Sequence, residues 1–160
     1  MFSFFRKAHV DASHLLTSRL YNNDTFYKEF IHDLNKSKRE VLIESPFITT
    51  KRVEPLLPVL KKAIKRGVKI VVTTRDPNEH NTPYDAFAVD AIAELQSIGV
   101  RVICIGKHHR KIAIFDRTIL WEGSLNILSQ YDSCEIMRRT HSQDLAQQMI
   151  QFIKLGKFFR

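Results

Sequence analysis

The sequence predicts an α/β fold in which a mixed β-sheet is flanked by helices on both faces. Stretches with apolar residues at helical spacing alternate with short runs of β-branched residues, which is the pattern of a layered α/β protein. The second half is richer in strand and contains a hairpin, so the sheet cannot be wholly parallel. Because the 160 residues contain no internal repeat and no linker, we expect a single domain over residues 1–160.

The first half is predicted to contain three helices and two strands. In chain order these are a helix over residues 24–36, a strand over 41–43, a helix over 53–66, a strand over 68–73 and a helix over 84–98. Asn23 or Asp24 supplies the N-terminal cap of the first helix, and Gly67 and Gly99 end the other two. Residues 1–23 are predicted as an N-terminal arm or helix.

The second half is predicted to contain four strands and a terminal helix. The strands are predicted over residues 100–105, 109–115, 118–122 and 134–139, and the helix over residues 142–155. Asp116 and Arg117 form the tight turn of a hairpin between the second and third of these strands. The core of the domain therefore extends over about residues 40–155.

Composition narrows the classes of partner and site. The chain has 25 Lys and Arg against 17 Asp and Glu, a formal net charge of +8, which favours a polyanionic partner. Cys104 and Cys134 have no metal-ligand spacing and do not make a disulfide framework, so we expect neither a metal nor another cofactor. No apolar run approaches the roughly 20 residues of a membrane span, and no secretory signal is recognisable. We therefore expect a cytoplasmic protein without integral membrane association.

Two short segments of the second half combine groups that bind and attack phosphate. They are His109-Arg-Lys111-Ile-Ala-Ile-Phe-Asp116 and Gly123-Ser124-Leu-Asn126. Alternate residues of a strand share a face, so His109 and Lys111 project together while Arg110 projects to the other face. The second segment adds a hydroxyl and an amide, and its glycine lets the backbone approach closely. Converging at a strand edge, these groups can hold a phosphate and supply one nucleophile without a metal.

The pattern His-x-Lys-x4-Asp followed by Gly-Ser-x-Asn resembles the HKD signature of the phospholipase D superfamily. The similarity in motif and element order extends over about residues 41–155. It implies a phospholipase D-like fold in which His109 is the nucleophile that forms a covalent phosphohistidine with a phosphodiester. It also implies that the phosphate oxygens are held by three other motif side chains, those of Lys111, Ser124 and Asn126.

Two carboxylates are expected to support this site. Glu135 resembles the acidic residue that hydrogen-bonds the nucleophilic histidine in small nucleases of the superfamily, where it fixes the tautomer and raises the basicity of the ring. Asp116 follows His109 by seven residues, which gives it the opposite parity in a regular strand. We therefore expect Asp116 to orient or support the site without contacting phosphate.

The mechanism of the superfamily needs a second histidine as general acid, which larger members take from a second copy of the motif. Of the seven histidines, only His109 has a lysine two positions later. The resemblance therefore implies a homodimer in which two copies of His109 face each other across a two-fold axis. Such a pair titrates as a coupled unit and predicts a bell-shaped pH–rate profile.

Basic residues beside the motif strands are candidates for binding the backbone of the substrate. They are Lys107, Arg110, Arg138 and Arg139. His108 has the wrong parity for the phosphate site, and we expect it to contact solvent or phosphate without a catalytic role.

The predicted function is that of a metal-independent phosphodiesterase or endonuclease acting on nucleic acid, with DNA favoured over RNA. Two alternatives stay open: a phospholipase D-type lipid hydrolase or transferase, and a catalytically silent nucleic-acid-binding module. The single motif copy weakens the lipid hypothesis, although basic surfaces also bind anionic membranes. The presence of every polar motif residue weakens the hypothesis of a silent module.

Overall fold

A seven-stranded mixed sheet forms the centre of the molecule, which the computed structural model describes over residues 17–79, 83–129 and 132–156. The strands are β1 (Ser18–Asn22), β2 (Glu40–Glu44), β3 (Lys69–Arg75), β4 (Arg101–Ile105), β5 (Ile112–Phe115), β6 (Ile119–Gly123) and β7 (Ile136–His141). Their order in the sheet is β1-β7-β6-β5-β2-β3-β4. β2, β3 and β4 are parallel to one another, whereas the other neighbouring pairs are antiparallel. The mixed sheet that the hairpin predicted is thus confirmed.

The described residues form five α-helices. They are α1 (Asn23–Lys36), α2 (Thr50–Val53), α3 (Leu57–Lys65), α4 (Pro83–Ser97) and α5 (Gln143–Ile153), with 3₁₀ turns at Glu54–Leu56 and Pro77–Glu79. The Asn22 side chain caps α1 by accepting the backbone N–H groups of Asp24 and Thr25. The Ser142 hydroxyl caps α5 by accepting the N–H of Leu145. Within these ranges, no helix is long and apolar enough to cross a lipid bilayer.

Alternate residues of the central strands face two separate apolar layers. Val41 and Ile43 of β2 pack in one layer together with buried side chains of α1, α3 and α4, among them Phe26. Leu42, which lies between them, packs in the other layer with Ile150 of α5. Because both faces of the sheet are apolar, both need a cover of helices. The predicted α/β class, with helices on both faces, is confirmed.

The structure corrects the prediction for the N-terminal arm or helix. Its described residues Ser18–Asn22 form β1, which pairs antiparallel with β7. Only Ser18 and Tyr21 of this strand are half-buried, and the others are exposed. The strand therefore lacks the apolar alternation by which a sequence reveals a strand. Residues 1–16 lie outside the described part of the chain.

The helix predicted over residues 53–66 is divided into α2, a 3₁₀ turn and α3. Pro55 stands in the first positions of the 3₁₀ turn, and Pro58 in the first positions of α3. Proline has no backbone N–H, so neither residue can continue the hydrogen bonding of the segment before it. Each proline instead begins a new segment.

The strand predicted to begin at His109 begins only at Ile112. Its partner β2 ends at Glu44, directly opposite Ile112. After Glu44, the backbone of the residues that follow β2 hydrogen-bonds on the side of β3: Ser45 N–H donates to Thr73 O at 3.0 Å, and Pro46 O accepts from the N–H of Arg75. Residues 109–111 therefore have no ladder partner on this side, and their side chains lie at the edge of the sheet.

Candidate active site

An open cleft of about 820 Å³ lies where residues 109–111 meet β6 and β7. Its polar lining consists of His109, Arg110, Lys111, Glu122, Ser124 and Arg138. Apolar lining is supplied by Leu20, Ile112 and Ile136. The motif histidine, lysine and serine and two of the predicted rim arginines therefore share one cleft.

His109 and Lys111 contact each other at this cleft, as their spacing predicts. The Lys111 Nζ lies 3.0 Å from His109 Nδ1 and 3.5 Å from Nε2, and it donates to the His109 carbonyl oxygen at 2.8 Å. The ammonium can donate to Nδ1 only when that nitrogen carries no proton. His109 is exposed, so an incoming phosphate can reach its ring.

Two hydroxyl groups hold the Glu135 carboxylate. Ser124 Oγ donates to one of its oxygens, and Ser133 Oγ donates to the other at 2.8 Å. The backbone N–H of Ile136 donates to Ser124 Oγ at 3.1 Å, which fixes this serine between β6 and β7. The family resemblance pairs Glu135 with His109, whereas the hydrogen bonds of this carboxylate in the described residues go to the two serines.

Glu135 also acts on the lysine of the motif. Burial lowers the pKa of Lys111, because desolvation disfavours the charged form. The Glu135 carboxylate opposes this and raises the pKa of Lys111. The carboxylate that opposes the effect of burial on the pKa of Lys111 is itself anchored to Ser124.

Gly123 is required where β6 and β7 come into close contact. A Cβ atom at this position would lie 2.2 Å from the Ile136 carbonyl oxygen and 2.9 Å from Met137 Cα. A side chain does not fit at such distances, so Gly123 permits the backbones of β6 and β7 to approach closely here. The approach brings Ser124 beside β7, where its backbone N–H donates to Ile136 O at 2.9 Å.

Asn126 lies in the loop after β6, outside the cleft lining. It is half-buried, and its Oδ1 is buried without a hydrogen-bond partner in the part of the chain that the structure describes. The loop is attached to the segment after β2, because Leu128 N–H donates to Ser45 Oγ at 3.0 Å. Buried polar atoms are normally paired, so Asn126 is a motif side chain with unused hydrogen-bonding capacity.

Asp116 lies at the opposite end of β5 from the motif histidine and lysine. Its carboxylate accepts the backbone N–H groups of Lys38 at 2.8 Å, Arg39 at 2.8 Å and Glu40 at 3.0 Å. These hydrogen bonds attach the start of β2 to the β5–β6 turn, where Asp116 adopts a left-handed φ of 50°. From this position Asp116 can support the strand that follows the motif lysine, but it does not reach the cleft.

The structure separates the predicted rim residues. Arg138 is exposed, lines the cleft and donates to Ser18 Oγ at 2.8 Å. Lys107 lies in the turn after β4, outside the cleft lining, with a φ of 56°. Arg139 donates at 2.9 and 2.8 Å to the two oxygens of Asp33, a buried residue of α1. Because the Arg139 guanidinium is paired with Asp33 inside the fold, we no longer expect Arg139 to contact the substrate.

Arg110 lines the cleft, but Glu44 binds its guanidinium. Nε and Nη2 of Arg110 donate to the two carboxylate oxygens at 2.7 and 2.9 Å. The neighbouring His108 is buried, which corrects the expectation that it contacts solvent or phosphate. Burial lowers the pKa of His108, so its ring is neutral at pH 7.

Two residues of this region, Glu44 and Leu20, were not predicted from the sequence. Glu44 ends the apolar run of β2 immediately before Ser45. A charged residue at the end of a buried strand is a recognisable signal, because such residues are almost never fully buried without a partner. Leu20 gave no such signal, since β1 shows no strand periodicity.

Metal-ligating side chains are dispersed in residues 17–79, 83–129 and 132–156. No group of three or more His, Cys, Asp or Glu in these ranges could hold a metal ion. Cys104 and Cys134 are free, exposed thiols. Lys111, Arg110 and Arg138 supply the positive charge of the cleft lining, and Glu44 balances that of Arg110.

Comparison with known proteins assigns the chain to a family. The family model described as cardiolipin synthase, phospholipase D-like domain, matches residues 30–155. The chain therefore belongs to the phospholipase D superfamily. A comparison with curated proteins found no match.

Solved structures share this fold at low sequence identity. Nuc, a phospholipase D family member from Salmonella typhimurium, is 14% identical, with a TM-score of 0.71 over 89% of this chain and 94% of its own. NucT from Helicobacter pylori is 16% identical, with a TM-score of 0.68 over 89% of this chain and 96% of its own. Phosphatidylserine synthase from Haemophilus influenzae is 11% identical, with a TM-score of 0.72 over 87% of this chain but 36% of its own. These similarities confirm the predicted phospholipase D-like fold.

Asp116→Asn tests the anchor at the far end of β5. Asparagine keeps one acceptor oxygen and tolerates a left-handed φ, but it loses the charge that strengthens the hydrogen bonds to three backbone N–H groups. We expect the free energy of unfolding, measured with urea at pH 7, to fall by about 1.5–3 kcal/mol. The exposed Asp132 provides the control, since Asp132→Asn should change it by less than about 0.5 kcal/mol. Equal effects of the two substitutions would contradict the anchoring role.

Glu135→Gln tests the electrostatic support of Lys111. Glutamine preserves the size of the side chain and removes its negative charge, so the pKa of Lys111 should fall further below its ordinary value. The measurement is an NMR titration of the Lys111 side-chain Cε resonance. Glu54→Gln, at an exposed position on the 3₁₀ turn, should leave that titration unchanged. An unchanged or raised midpoint in Glu135→Gln would show that Glu135 does not support the charge of the lysine.

Proposed function

We propose that this protein is a metal-independent phosphodiesterase that hydrolyses nucleic acid through a covalent phosphohistidine on His109. The observation that carries the proposal is the contact between the exposed His109 ring and the Lys111 ammonium, 3.0 Å from Nδ1, at an open cleft. Hydrolysis of a phosphodiester by this route needs an accessible nucleophile beside a cation that stabilises the developing charge. Both groups are present, and the cleft is open enough to admit a polymer.

The proposed reaction has two steps. In the first, a ring nitrogen of His109 attacks the phosphorus, the bond to the leaving oxygen breaks, and that oxygen takes a proton from a general acid. In the second, water attacks the phosphohistidine and loses a proton to a general base, and the N–P bond breaks to release a phosphomonoester. Lys111 holds the non-bridging oxygens while the phosphorus is five-coordinate, and the Ser124 hydroxyl joins it by turning its one proton from Glu135 to the phosphate. Glu135 orients Ser124 before the substrate binds and opposes the fall in the pKa of Lys111 that burial causes.

The positive charge of the chain supports a nucleic-acid substrate. The formal net charge is +8, and the exposed Arg138 adds a cation beside the motif lysine. The chain matches Nuc and NucT over 94% and 96% of their lengths, but phosphatidylserine synthase over only 36%. Nuc and NucT thus share the fold of this chain over almost their whole lengths, and Nuc is described as a phospholipase D family member.

A lipid phosphodiester is the second candidate substrate. The family model takes its description from cardiolipin synthase, a lipid enzyme. Leu20 and Ile136, each 61% exposed, line the cleft and offer an apolar surface beside the phosphate site. The chemistry at phosphorus is the same for a lipid and for a nucleic acid. The two proposals differ in what covers the apolar surface: an acyl chain of the lipid in one, and a second copy of the protein in the other.

The general acid is proposed to come from a second copy of the chain. Of the histidines in the described residues, His109 is the one that lines the cleft. His108 is buried and neutral, His32 lies on α1, and His141 lines a different pocket. A two-fold dimer brings His109 of the second copy to the same phosphate and so completes the acid–base pair.

The surface beside the cleft is suited to such a dimer. Leu20, Arg138, Glu122 and Ile112 are directly opposed in one row across β1, β7, β6 and β5. The row presents the exposed Leu20 and one charge of each sign, which a two-fold axis can pair with the same row of another copy, while Ile112 is buried. Ile136 extends the apolar part of this row along β7.

His109→Ala tests the nucleophile and the substrate together. The protein is incubated in excess EDTA with single- and double-stranded DNA, RNA and anionic phospholipid vesicles. We expect cleavage of nucleic acid in EDTA and a loss of about 10⁴-fold or more in the variant. His32→Ala, at an exposed position on α1, is the matched control and should cleave normally.

The other outcomes overturn specific parts of the proposal. Cleavage that disappears in EDTA contradicts the metal-independent mechanism, and cleavage that survives in His109→Ala contradicts the nucleophile. Hydrolysis of phospholipid alone identifies the lipid enzyme. Salt-sensitive binding of nucleic acid without cleavage under any condition identifies a silent binding module.

Mixed dimers test the shared site. The parent protein is refolded together with an equal amount of His109→Ala. If each site needs His109 from both copies, mixed dimers are inactive, and the activity is about one quarter of that of the same total amount of parent protein. Independent sites would retain about one half. Ile136→Asp should dissociate the dimer and abolish activity, as measured by light scattering and cleavage. Val89→Asp, 53% exposed on α4, should do neither.

A further inference from the structure

A fully buried carboxylate lies directly beneath the motif. Glu44 is 0% exposed, and its two oxygens accept hydrogen bonds from Arg110 Nε at 2.7 Å and Nη2 at 2.9 Å. A carboxylate without solvent needs a partner of this quality, because desolvation of an unpaired charge is costly. The Glu44 end of the ion pair is therefore fixed inside the fold, and the Arg110 end, 41% exposed, lies at the cleft.

This ion pair joins residues 109–111 to the end of β2, where no ladder hydrogen bonds connect the two segments. Residues 109–111 precede β5 and have no ladder hydrogen bonds to β2, which ends at Glu44. Arg110 lies between His109 and Lys111 in the sequence, and its guanidinium is turned to Glu44. The two flanking side chains contact each other at the cleft. The ion pair thus substitutes for the missing backbone hydrogen bonds of this segment.

His108 is buried within range of the charges of this ion pair. It is 4% exposed, its Nε2 has no hydrogen-bond partner in the described residues, and Glu44 is among the charges that act on it. The other charges facing it belong to Arg110, Lys111 and His109. A buried, neutral ring excludes water from the carboxylate, which strengthens the attraction between Glu44 and Arg110.

We propose, on the basis of the phosphodiesterase function proposed above, that the Glu44–Arg110 ion pair positions His109 and Lys111 for reaction. Arg110 is then a positioning residue and not a contact to the substrate backbone. The nucleophile and its neighbouring cation are both one residue away from the anchor, so a displacement of Arg110 is transmitted to the two together. Misplacement of reacting groups by about 1 Å lowers a rate by about 100-fold.

The double variant Glu44→Leu/Arg110→Met separates positioning from stability. Glu44 is fully buried, whereas the Arg110 side chain is 41% exposed. Replacing both partners by apolar residues removes the buried charge together with its partner, whereas removing Arg110 alone leaves the Glu44 carboxylate buried and unpaired. We expect a melting temperature close to that of the parent and a kcat about 100-fold lower on both an oligonucleotide and bis(4-nitrophenyl) phosphate. KM and the salt dependence of DNA binding should not change.

A second ion pair in the same sheet supplies the matched control. Arg117 at the β5–β6 turn pairs with Glu40 at the start of β2, at the end of these strands remote from the cleft. Glu40→Leu/Arg117→Met should leave kcat unchanged on both substrates. Arg110→Lys, which retains a charge without the two-pronged geometry, should fold and lose about 10-fold in kcat.

The outcomes distinguish this proposal from its alternatives. A parental kcat in the double variant or in Arg110→Lys overturns it. An unchanged kcat with a raised KM and a weaker salt dependence of DNA binding identifies Arg110 as a phosphate contact. If the parent hydrolyses neither substrate, the proposed function fails, and the positioning role is tested by NMR alone. The side-chain resonances of His109 and Lys111 should then shift or broaden in the double variant and stay unchanged in the control, and unchanged resonances in the double variant would overturn it.

Discussion

The four residues of β5 connect the two halves of the sheet, and the position of the candidate site depends on them. Ile112–Phe115 pair with β2 on one side and with β6 on the other. The parallel strands β2, β3 and β4 and the antiparallel strands β6, β7 and β1 therefore meet at β5. Because so short a strand makes few ladder hydrogen bonds, the contacts at its two ends determine where the motif lies. A carboxylate acts at each end: Glu44 on the side of the motif and Asp116 on the side of the turn.

Carboxylates also decide how much positive charge the cleft offers to a phosphate. Three arginines close to the motif in the sequence are each bound by an acidic residue within the fold. The pairs are Arg110 with Glu44, Arg117 with Glu40 and Arg139 with Asp33. Net charge therefore overstates the number of cations that a substrate can use. Two other cations line the cleft, Lys111 and Arg138. In the described residues, neither forms an ion pair of this kind with a carboxylate.

The remaining parts of the site come from segments that are far apart along the chain. Ser124 follows β6 and Glu135 precedes β7, and their hydrogen bond depends on how closely these two strands approach. Gly123 makes that approach possible, since any Cβ there would meet the backbone of β7. One glycine thus places a hydroxyl, and through it a carboxylate, beside the lysine of the motif.

Local patterns in the sequence determined the fold class and the centre of the site. The alternation of helices and strands, the contact of His109 with Lys111 and the close approach at Gly123 all follow from spacings of a few residues. These patterns predict less well where an element depends on a strand that is distant in the sequence. The short β1 carries no periodicity, and the start of β5 depends on where β2 ends, so neither could be predicted from its own residues.

The sequence by itself determined which groups are available for chemistry, and the tertiary structure decided which of them are free to act. Glu44 and Arg110 are 66 residues apart, and Asp33 and Arg139 are 106 apart. No local pattern connects such pairs, because an ion pair requires only that two side chains meet in space. The same holds for His108, whose burial depends on its surroundings and not on its parity. Spacing therefore predicted the contact of His109 with Lys111, whereas packing placed neighbouring arginines in ion pairs with carboxylates of the fold.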